Sequence, residues 1–484
     1  MRTFVYSDEK SNRFWNVTLQ GNSYTVTYGK VGSKGQTKTK DFADDDQARK
    51  AYAKVIAEKV KKGYVETTSV PTAELTPLLR SLEVSLAADP EDLASHSAYA
   101  DYLAEQGDSR GELIQLQLSL EDERIREPER SKLQSRVDEL IEIGCRTWLG
   151  DLGRFLVGHW SGLDKPFHFE IRRGWLDRIR ILPFPDAIAR SLANCPEVRL
   201  LRRLEVIYDM RYHPWEFDDW IEGPNAALRE GEELFEFDED MENELVILPE
   251  ILKSPYLQNL RVFEFGYSAT EEQISHTTMV TPFANCTVED ILKLLERAPN
   301  LEELYLNADV EDVKRLFSSD RLGNLRVLQY YYGMGRYQQP PELEYPLSAL
   351  ADNSSLKNLT TLRLHPGRDA SILLDEVRAL LHSKNLPNLV SLQIHQTRYG
   401  DDLVPVLIES GILNRLKVLD LGYGLLTDKG ARQLANCPEL KNLDWLAVSK
   451  NALTQSGIDL LKSTGSRVRA TDQHLSEENQ AYFT

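Results

Sequence analysis

The sequence predicts a multidomain chain of mixed α+β and α/β class. A small sheet-plus-helix domain comes first, then a helical module, then a curved repeat solenoid with a parallel concave sheet. Three observations carry this prediction. Apolar residues alternate within the first 70 positions, helix-periodic words fill residues 75–160, and an LxxLxL pattern recurs through residues 165–484. A chain of 484 residues is too long for one core, which stops growing at roughly 250–300 residues. The boundaries follow the composition: 1–68, 75–160 and 165–484, with an acidic insertion near 208–250 in the last.

In the first domain, Phe14–Leu19 and Tyr24–Tyr28 alternate as strands, and Gly21-Asn22-Ser23 between them reads as a hairpin turn. Lys38–Phe42 reads as a third strand. Ala43-Asp44-Asp45-Asp46 starts a helix over Gln47–Lys61 that Gly63 stops. The charge here is distinctive. Residues 1–70 hold thirteen Lys and Arg against eight Asp and Glu, whereas the whole chain carries −19. The remainder therefore stands at −24 against a head of +5, so nucleic-acid binding is expected only at the head. Gly29, Gly32 and Gly35 do not form a phosphate loop, because Gly35 is followed by Gln36-Thr37 and not by Lys-Ser/Thr.

Tyr24-Thr25-Val26-Thr27-Tyr28-Gly29-Lys30-Val31-Gly32, then Gly35–Lys40 with Phe42, and the ending Lys59–Tyr64 resemble the WGR domain of DNA-dependent poly(ADP-ribose) polymerases. Tyr28-Gly29-Lys30 stands where that family has Trp-Gly-Arg. The resemblance implies that Tyr28, Lys30, Lys34, Gln36 and Lys38 face nucleic acid, with Tyr28 stacking and Lys30 meeting a phosphate. Lys30 lacks the bidentate fork of Arg. The residues also permit a plainer reading, in which Tyr28 is a half-buried strand aromatic and the lysines a solvated edge.

Past a linker at 67–77, four helices are expected. They run from Leu78 to Asp89, through His96–Leu103 to Gly107, from Gly111 to Leu120, and over roughly 128–143. Tyr99–Glu112 resembles the helical repeat-companion domain that precedes leucine-rich repeats in planctomycete-type bacteria, a module with no known activity. Asp101 is expected to pack or cap, with Arg110 as its ion-pair partner, and Glu112 is not read as a catalytic acid.

The repeats follow as Leu176/Ile179/Ile181, Leu201/Leu204/Val206, Leu260/Phe263/Phe265, Leu301/Leu304/Leu306, Leu325/Leu328/Tyr330, Leu359/Leu362/Leu364, Leu389/Leu392/Ile394, Leu416/Leu419/Leu421 and Leu443/Leu446/Val448. The last four intervals are 34, 30, 27 and 27 residues, and helical words such as Gly430–Ala435 lie between the strands. The final repeats resemble the ribonuclease-inhibitor-like class of leucine-rich repeats. Period-two geometry turns the named residues inward and the intervening ones onto an open face. That face is expected to display Arg203, Tyr305, Tyr331, Arg363, His365, His395 and Trp445 to a protein partner, since Arg and aromatics dominate interface hot spots. His365 and His395 lack a third ligand, so no metal is expected there.

Two irregular segments stand out. The insertion holds His213–Trp220 and an acidic run from Glu230 to Glu244, and reads equally as a docking segment or an ordinary loop. Tyr330–Tyr337 is a Tyr-rich exit from a strand. The four cysteines, Cys145, Cys195, Cys286 and Cys437, form no CxxC, and two of them recur in Leu-Ala-Asn-Cys-Pro-Glu at 192–197 and 434–439. They read as small apolar residues at repeat corners. No apolar run approaches the ~20 residues of a membrane span, and the N-terminus lacks a signal-like stretch, so the cytoplasm is expected. No nucleophile constellation, cofactor loop or metal signature appears. The sequence therefore points to a bacterial, non-enzymatic adaptor without cofactors. A purely protein-binding scaffold or inhibitor is the alternative.

Overall fold

The structure is a computed structural model that describes residues 2–8, 11–30, 36–62, 64–67, 77–156, 167–181, 186–208, 247–267, 285–331, 345–366, 372–395 and 399–473. Lys34, linker residues 68–76, the insertion at 209–246 and Tyr332–Tyr337 lie outside the described residues. By its internal contacts the chain divides into two compact units. The first is Met1–Val157 with Arg172–Gly174, and the second is Gly158–Ile171 with Trp175–Thr484.

The first unit begins with an antiparallel sheet in the order β4-β3-β2-β1-β5. Its strands are β1 (Arg2–Asp8), β2 (Ser11–Gln20), β3 (Ser23–Lys30), β4 (Gln36–Asp41) and β5 (Val65–Thr67). Gly21 opens the β2–β3 turn at φ +57°, where a residue without Cβ is cheapest. Helix α1 (Asp45–Lys61) starts where Asp44 accepts the Gln47 amide at 2.7 Å. Phe4, Trp15, Val17 and Ile56 form the buried cluster of this sheet and helix. β1 and β5 lie outside the strands expected from alternation. The three residues of β5 are too few to show a period.

Helices α2 (Pro77–Ala88), α3 (Leu93–Glu105), α4 (Ser109–Leu120), α5 (Glu129–Trp148) and α6 (Gly150–Leu156) complete the first unit. The first four fall where the sequence placed them. Asp92 and Asp108 cap α3 and α4 by accepting the amides of Ala94 and Arg110. The expected Asp101–Arg110 pair is not formed. Asp101 instead accepts a hydrogen bond from the Gln115 side chain at 2.8 Å. Arg110 is buried, with Nε donating to the Gly174 carbonyl at 2.7 Å and its guanidinium over the Tyr99 ring. Gly111 explains the close packing of α3 on α4, since a Cβ there would sit 2.6 Å from the Ala100 carbonyl oxygen. Glu112 pairs with Arg136 at 2.8 Å, and Arg173 pairs with Glu121 at 2.7 Å.

The second unit is built on an eleven-stranded sheet in the order β18-β17-β16-β15-β14-β13-β11-β9-β8-β7-β6, with a two-stranded β10-β12 pair beside it. The large sheet comprises β6 (His168–Arg172), β7 (Trp175–Ile181), β8 (Arg203–Tyr208), β9 (Val262–Tyr267), β11 (Glu303–Asn307), β13 (Val327–Tyr331), β14 (Thr361–His365), β15 (Ser391–Ile394), β16 (Val418–Asp420), β17 (Trp445–Ala447) and β18 (Arg467–Arg469). The small pair is β10 (Asn285–Thr287) and β12 (Asp309–Glu311). From β7 to β18 neighbouring strands pair in parallel, and they align the inward residues in a column: Ile179, Leu204, Phe263, Leu304, Leu328, Leu362, Leu392, Leu419, Leu446, Val468. Every member from Ile179 to Leu446 is fully buried, which supplies most of the driving force for stacking.

Two side-chain ladders fix the stack. The Asn before each first Leu donates to a backbone carbonyl of the preceding segment: Asn259 to Arg199, Asn300 to Gln258, Asn324 to Pro299, Asn358 to Gly323 and Asn388 to Lys357, all at 2.7–2.9 Å. Nearer the C-terminus, Asp401 accepts from Thr427 N, Thr427 Oγ1 and Gly430 N, and Asp428 accepts from Thr454 N and Oγ1. Each aspartate thus ties down the residue at which the next segment's helix starts, and Asp401 also accepts an amide of that helix's first turn. Asp401→Ala is expected to lower stability by about 1–2 kcal/mol. The check is hydrogen exchange across 427–435, and unchanged protection there would show that the cap contributes nothing.

All four cysteines are free and buried. Cys195 and Cys437 precede short 3-10 turns at equivalent corners, with their thiols toward Glu197 and Glu439 at 3.5 and 3.0 Å. Among the described residues no helix is long and apolar enough to cross a membrane.

Candidate functional site

On the N-terminal sheet, the register places Gln36, Lys38 and Lys40 opposite Tyr28, Val26 and Tyr24. The whole of edge strand β4 is exposed. Tyr28 is half-buried, packed against the core cluster, and its hydroxyl donates to Gln36 Oε1 at 3.3 Å. Lys38 Nζ sits 5.8 Å from the Tyr28 ring centroid. Tyr28 is therefore a strand aromatic engaged with its neighbours, and the exposed β4 side chains on its face are Gln36, Lys38 and Lys40. Lys30 is the last residue of β3. On the opposite face, Thr25 and Thr27 meet Thr39 and Thr37 in hydroxyl pairs at 2.8 and 3.0 Å.

On the large sheet, the positions between the inward columns form a polar row of separate hydrogen-bonded groups. Arg180 and Arg203 both grip Glu205, and Arg203 also reaches Glu264 at 3.1 Å. Burial works against the Glu205 charge, yet the two arginines outweigh it and hold its carboxyl below the usual range. Glu264 goes the other way, pushed up by burial and by neighbouring Glu205. Tyr305 donates to Glu303 at 2.8 Å, and burial with this bond pushes its phenol up to about 12. The row continues from Gln329 to Asn307 at 2.8 Å, and from Arg363 to Gln329 at 3.4 Å.

Further along, Tyr331, His365 and His395 are not displayed as expected. Their exposures are 6, 0 and 0 %. Tyr423, itself 5 % exposed, packs with its ring 5.6 Å from His365 and 5.0 Å from His395. Gln393 donates to the Tyr331 hydroxyl at 2.6 Å and lies 3.2 Å from His395 Nδ1. His395 Nε2 lies 3.1 Å from Asp420. Burial, then the adjacent His395, depresses the His365 pKa well below 6.5. Of the residues expected at this face, Arg203, Tyr305 and Arg363 are half-buried, and Trp445 is 39 % exposed.

Residues 1–71 match the family model of the WGR domain. The N-terminal segment is a WGR domain. Two Escherichia coli relatives match the same region: protein YehF is 58 % identical over 66 residues, and the uncharacterized protein YfeS is 51 % identical over 65 residues. These matches cover 14 and 13 % of this chain and 24 and 27 % of the relatives, so the chain spans about a quarter of their length. Among solved structures, a Bacteroides fragilis protein from structural genomics is 18 % identical at TM-score 0.34, covering 98 % of this chain and 96 % of that one. An internalin from Listeria monocytogenes is 15 % identical at TM-score 0.20, covering 48 and 80 %. At such scores neither likeness bears on function.

The WGR domain thus presents one exposed basic strand, and the large sheet presents a polar row that is partly roofed. Sequence reasoning missed Tyr423, Lys40 and the Asn ladder. The ladder has a readable signal, because Asn precedes the first Leu at 259, 300, 324, 358, 388 and 442. Tyr423 has none, since a turn and not a strand delivers it.

Proposed function

We propose that the chain is a non-enzymatic modular adaptor. Its WGR domain contacts nucleic acid through the β4 edge. The second unit is a leucine-rich-repeat solenoid of the ribonuclease-inhibitor-like class whose open face holds a protein partner, and α2–α6 act as its helical companion. The observation that carries the nucleic-acid half is the exposed run Gln36, Lys38 and Lys40 on a WGR domain. A head of +5 on a −24 remainder supports it, because the rest of the chain repels phosphate.

A labelled DNA duplex with a free end, titrated with full-length protein across a salt series, tests this reading. Binding should weaken as salt rises. Lys38→Gln/Lys40→Gln should weaken it further at low salt and reduce the log–log salt slope by about 1.8, since each phosphate contact contributes about 0.9. Absence of binding at low salt, or a slope the double variant leaves unchanged, would overturn it. The second reading is a purely protein-binding scaffold. It is favoured by the packing of Tyr28 against its own core, which withdraws the aromatic expected to stack on nucleic acid. A partner recovered equally by wild type and the double variant, together with no DNA binding, would establish that reading instead.

A further inference from the structure

The strand starts of the large sheet form a groove of about 460 Å³. It runs across neighbouring segments, from Arg261, which precedes β9, to Asn388, which precedes β15. Its four asparagines, Asn300, Asn324, Asn358 and Asn388, are all exposed. Each already donates one amide hydrogen to a carbonyl of the preceding segment, which fixes the side chain in place. Among the described residues nothing donates to their Oδ1 atoms, so each amide retains an N–H donor and a carbonyl acceptor. Side chains held in this way lose little freedom when a ligand arrives.

Two arginines flank one carboxylate in the groove. Glu302 pairs with Arg261 and, at 3.5 Å, with Arg326. Among the described residues it is the only carboxylate within ion-pair distance of either guanidinium, and both arginine side chains remain more than half exposed. No other charged side chain lines the groove, so its lining keeps one cation in excess. Just beyond the lining, Glu303 accepts the Tyr305 hydroxyl, and Lys357 is exposed. The chain as a whole is acidic, but charges more than roughly 8 Å away are screened at physiological salt, so the local surplus decides.

The amides distinguish between polyanions. A peptide backbone carries alternating N–H and C=O groups, the complement of a row of primary amides. A phosphate backbone carries only acceptors and would leave the asparagine carbonyls unmatched. Arg261 and Arg326 precede strands two apart in the sheet, about 10 Å at the usual strand spacing, which suits carboxylates about three residues apart on an extended chain.

We propose that an extended acidic segment of a protein partner lies across this groove, its main chain on the asparagine amides and its carboxylates on Arg261 and Arg326. This rests on the protein-partner half of the reading above and extends that contact from the open face to the adjoining strand starts. Fluorescence anisotropy of labelled deca-glutamate, titrated with the full chain at physiological ionic strength, tests it. Saturable binding below about 1 mM is expected. Arg261→Gln/Arg326→Gln should weaken it about tenfold. Glu302→Gln should tighten it several-fold, because the competing carboxylate is gone and both arginines are released. Labelled oligothymidylate should show no dependence on either arginine. The proposal is overturned by no saturable deca-glutamate binding, by binding that the arginine variant does not weaken, or by Glu302→Gln failing to tighten it. Weaker oligothymidylate binding in the arginine variant would also overturn it, by making the groove a nucleic-acid site. A protein partner that co-purifies equally with wild type and the arginine variant would overturn the groove while leaving the protein-partner reading intact.

Discussion

Gly266→Ala is expected to lower the stability of the second unit by about 3 kcal/mol or more. Gly266 sits in β9 opposite Asn307 of β11, at φ +116°. A Cβ built there would lie 2.0 Å from the Asn307 carbonyl oxygen and 2.5 Å from its carbon. Both obstacles are backbone, so no side-chain rotation relieves them. β11 would have to shift, yet its other edge pairs with β13 over five residues, and Asn307 also accepts the Gln329 amide. Backbone strain and steric overlap each cost about 1–3 kcal/mol. Gly21→Ala is the matched control. Its φ is +57° but nothing lies within 4 Å of the added carbon, so about 1 kcal/mol is expected. Native-state hydrogen exchange of β9 and β11 reads the second unit by itself. A loss below about 1 kcal/mol for Gly266→Ala would mean that the two strands separate easily.

The same strands show what the sequence discloses and what it withholds. The LxxLxL pattern is local and periodic, so it located the inward columns and their mutual register from Ile179 to Leu446. Period-two geometry also separated the faces correctly. It did not report depth. Tyr331, His365 and His395 occupy the expected face but are buried: Tyr423, on the left-handed corner after β16, packs on both histidines, and Tyr331 packs on His365. Long-range roofing of this kind leaves no periodic trace. The WGR surface shows the same limit: alternation and the quoted words placed Tyr28 on a strand, but only the packing shows that its ring belongs to the core. Polar partnerships were least legible. Asp101 and Arg110 are nine residues apart on different helices, and each finds a partner that no spacing rule selects.

The buried histidines carry a consequence for acid stability. His365 is neutral in the fold because burial, reinforced by His395, disfavours its charged form. Its folded pKa lies well below the 6.5 of the unfolded chain. As pH falls through 6.5 the unfolded state takes up a proton that the folded state refuses, so stability is full above that pH and declines below it. The decline approaches about 1.4 kcal/mol per pH unit and ends only when the folded ring titrates. His365→Gln removes this titration, so the gap between wild-type and variant stability should change by that amount per unit below pH 6.5. Other groups largely cancel in the difference. His96, in the first unit, is also held neutral by burial and would add its own slope to both proteins. Asp420, whose folded pKa is depressed below 3.8, loses its contribution only at lower pH. Glu264 has the opposite sign, since its raised pKa makes protonation favour the fold. Urea unfolding at pH 7.5, 6.0 and 5.0, three points chosen to span the roughly one-proton window, gives the comparison. Parallel profiles for wild type and His365→Gln would show that the ring is hydrated, and that the Tyr423 roof opens in solution.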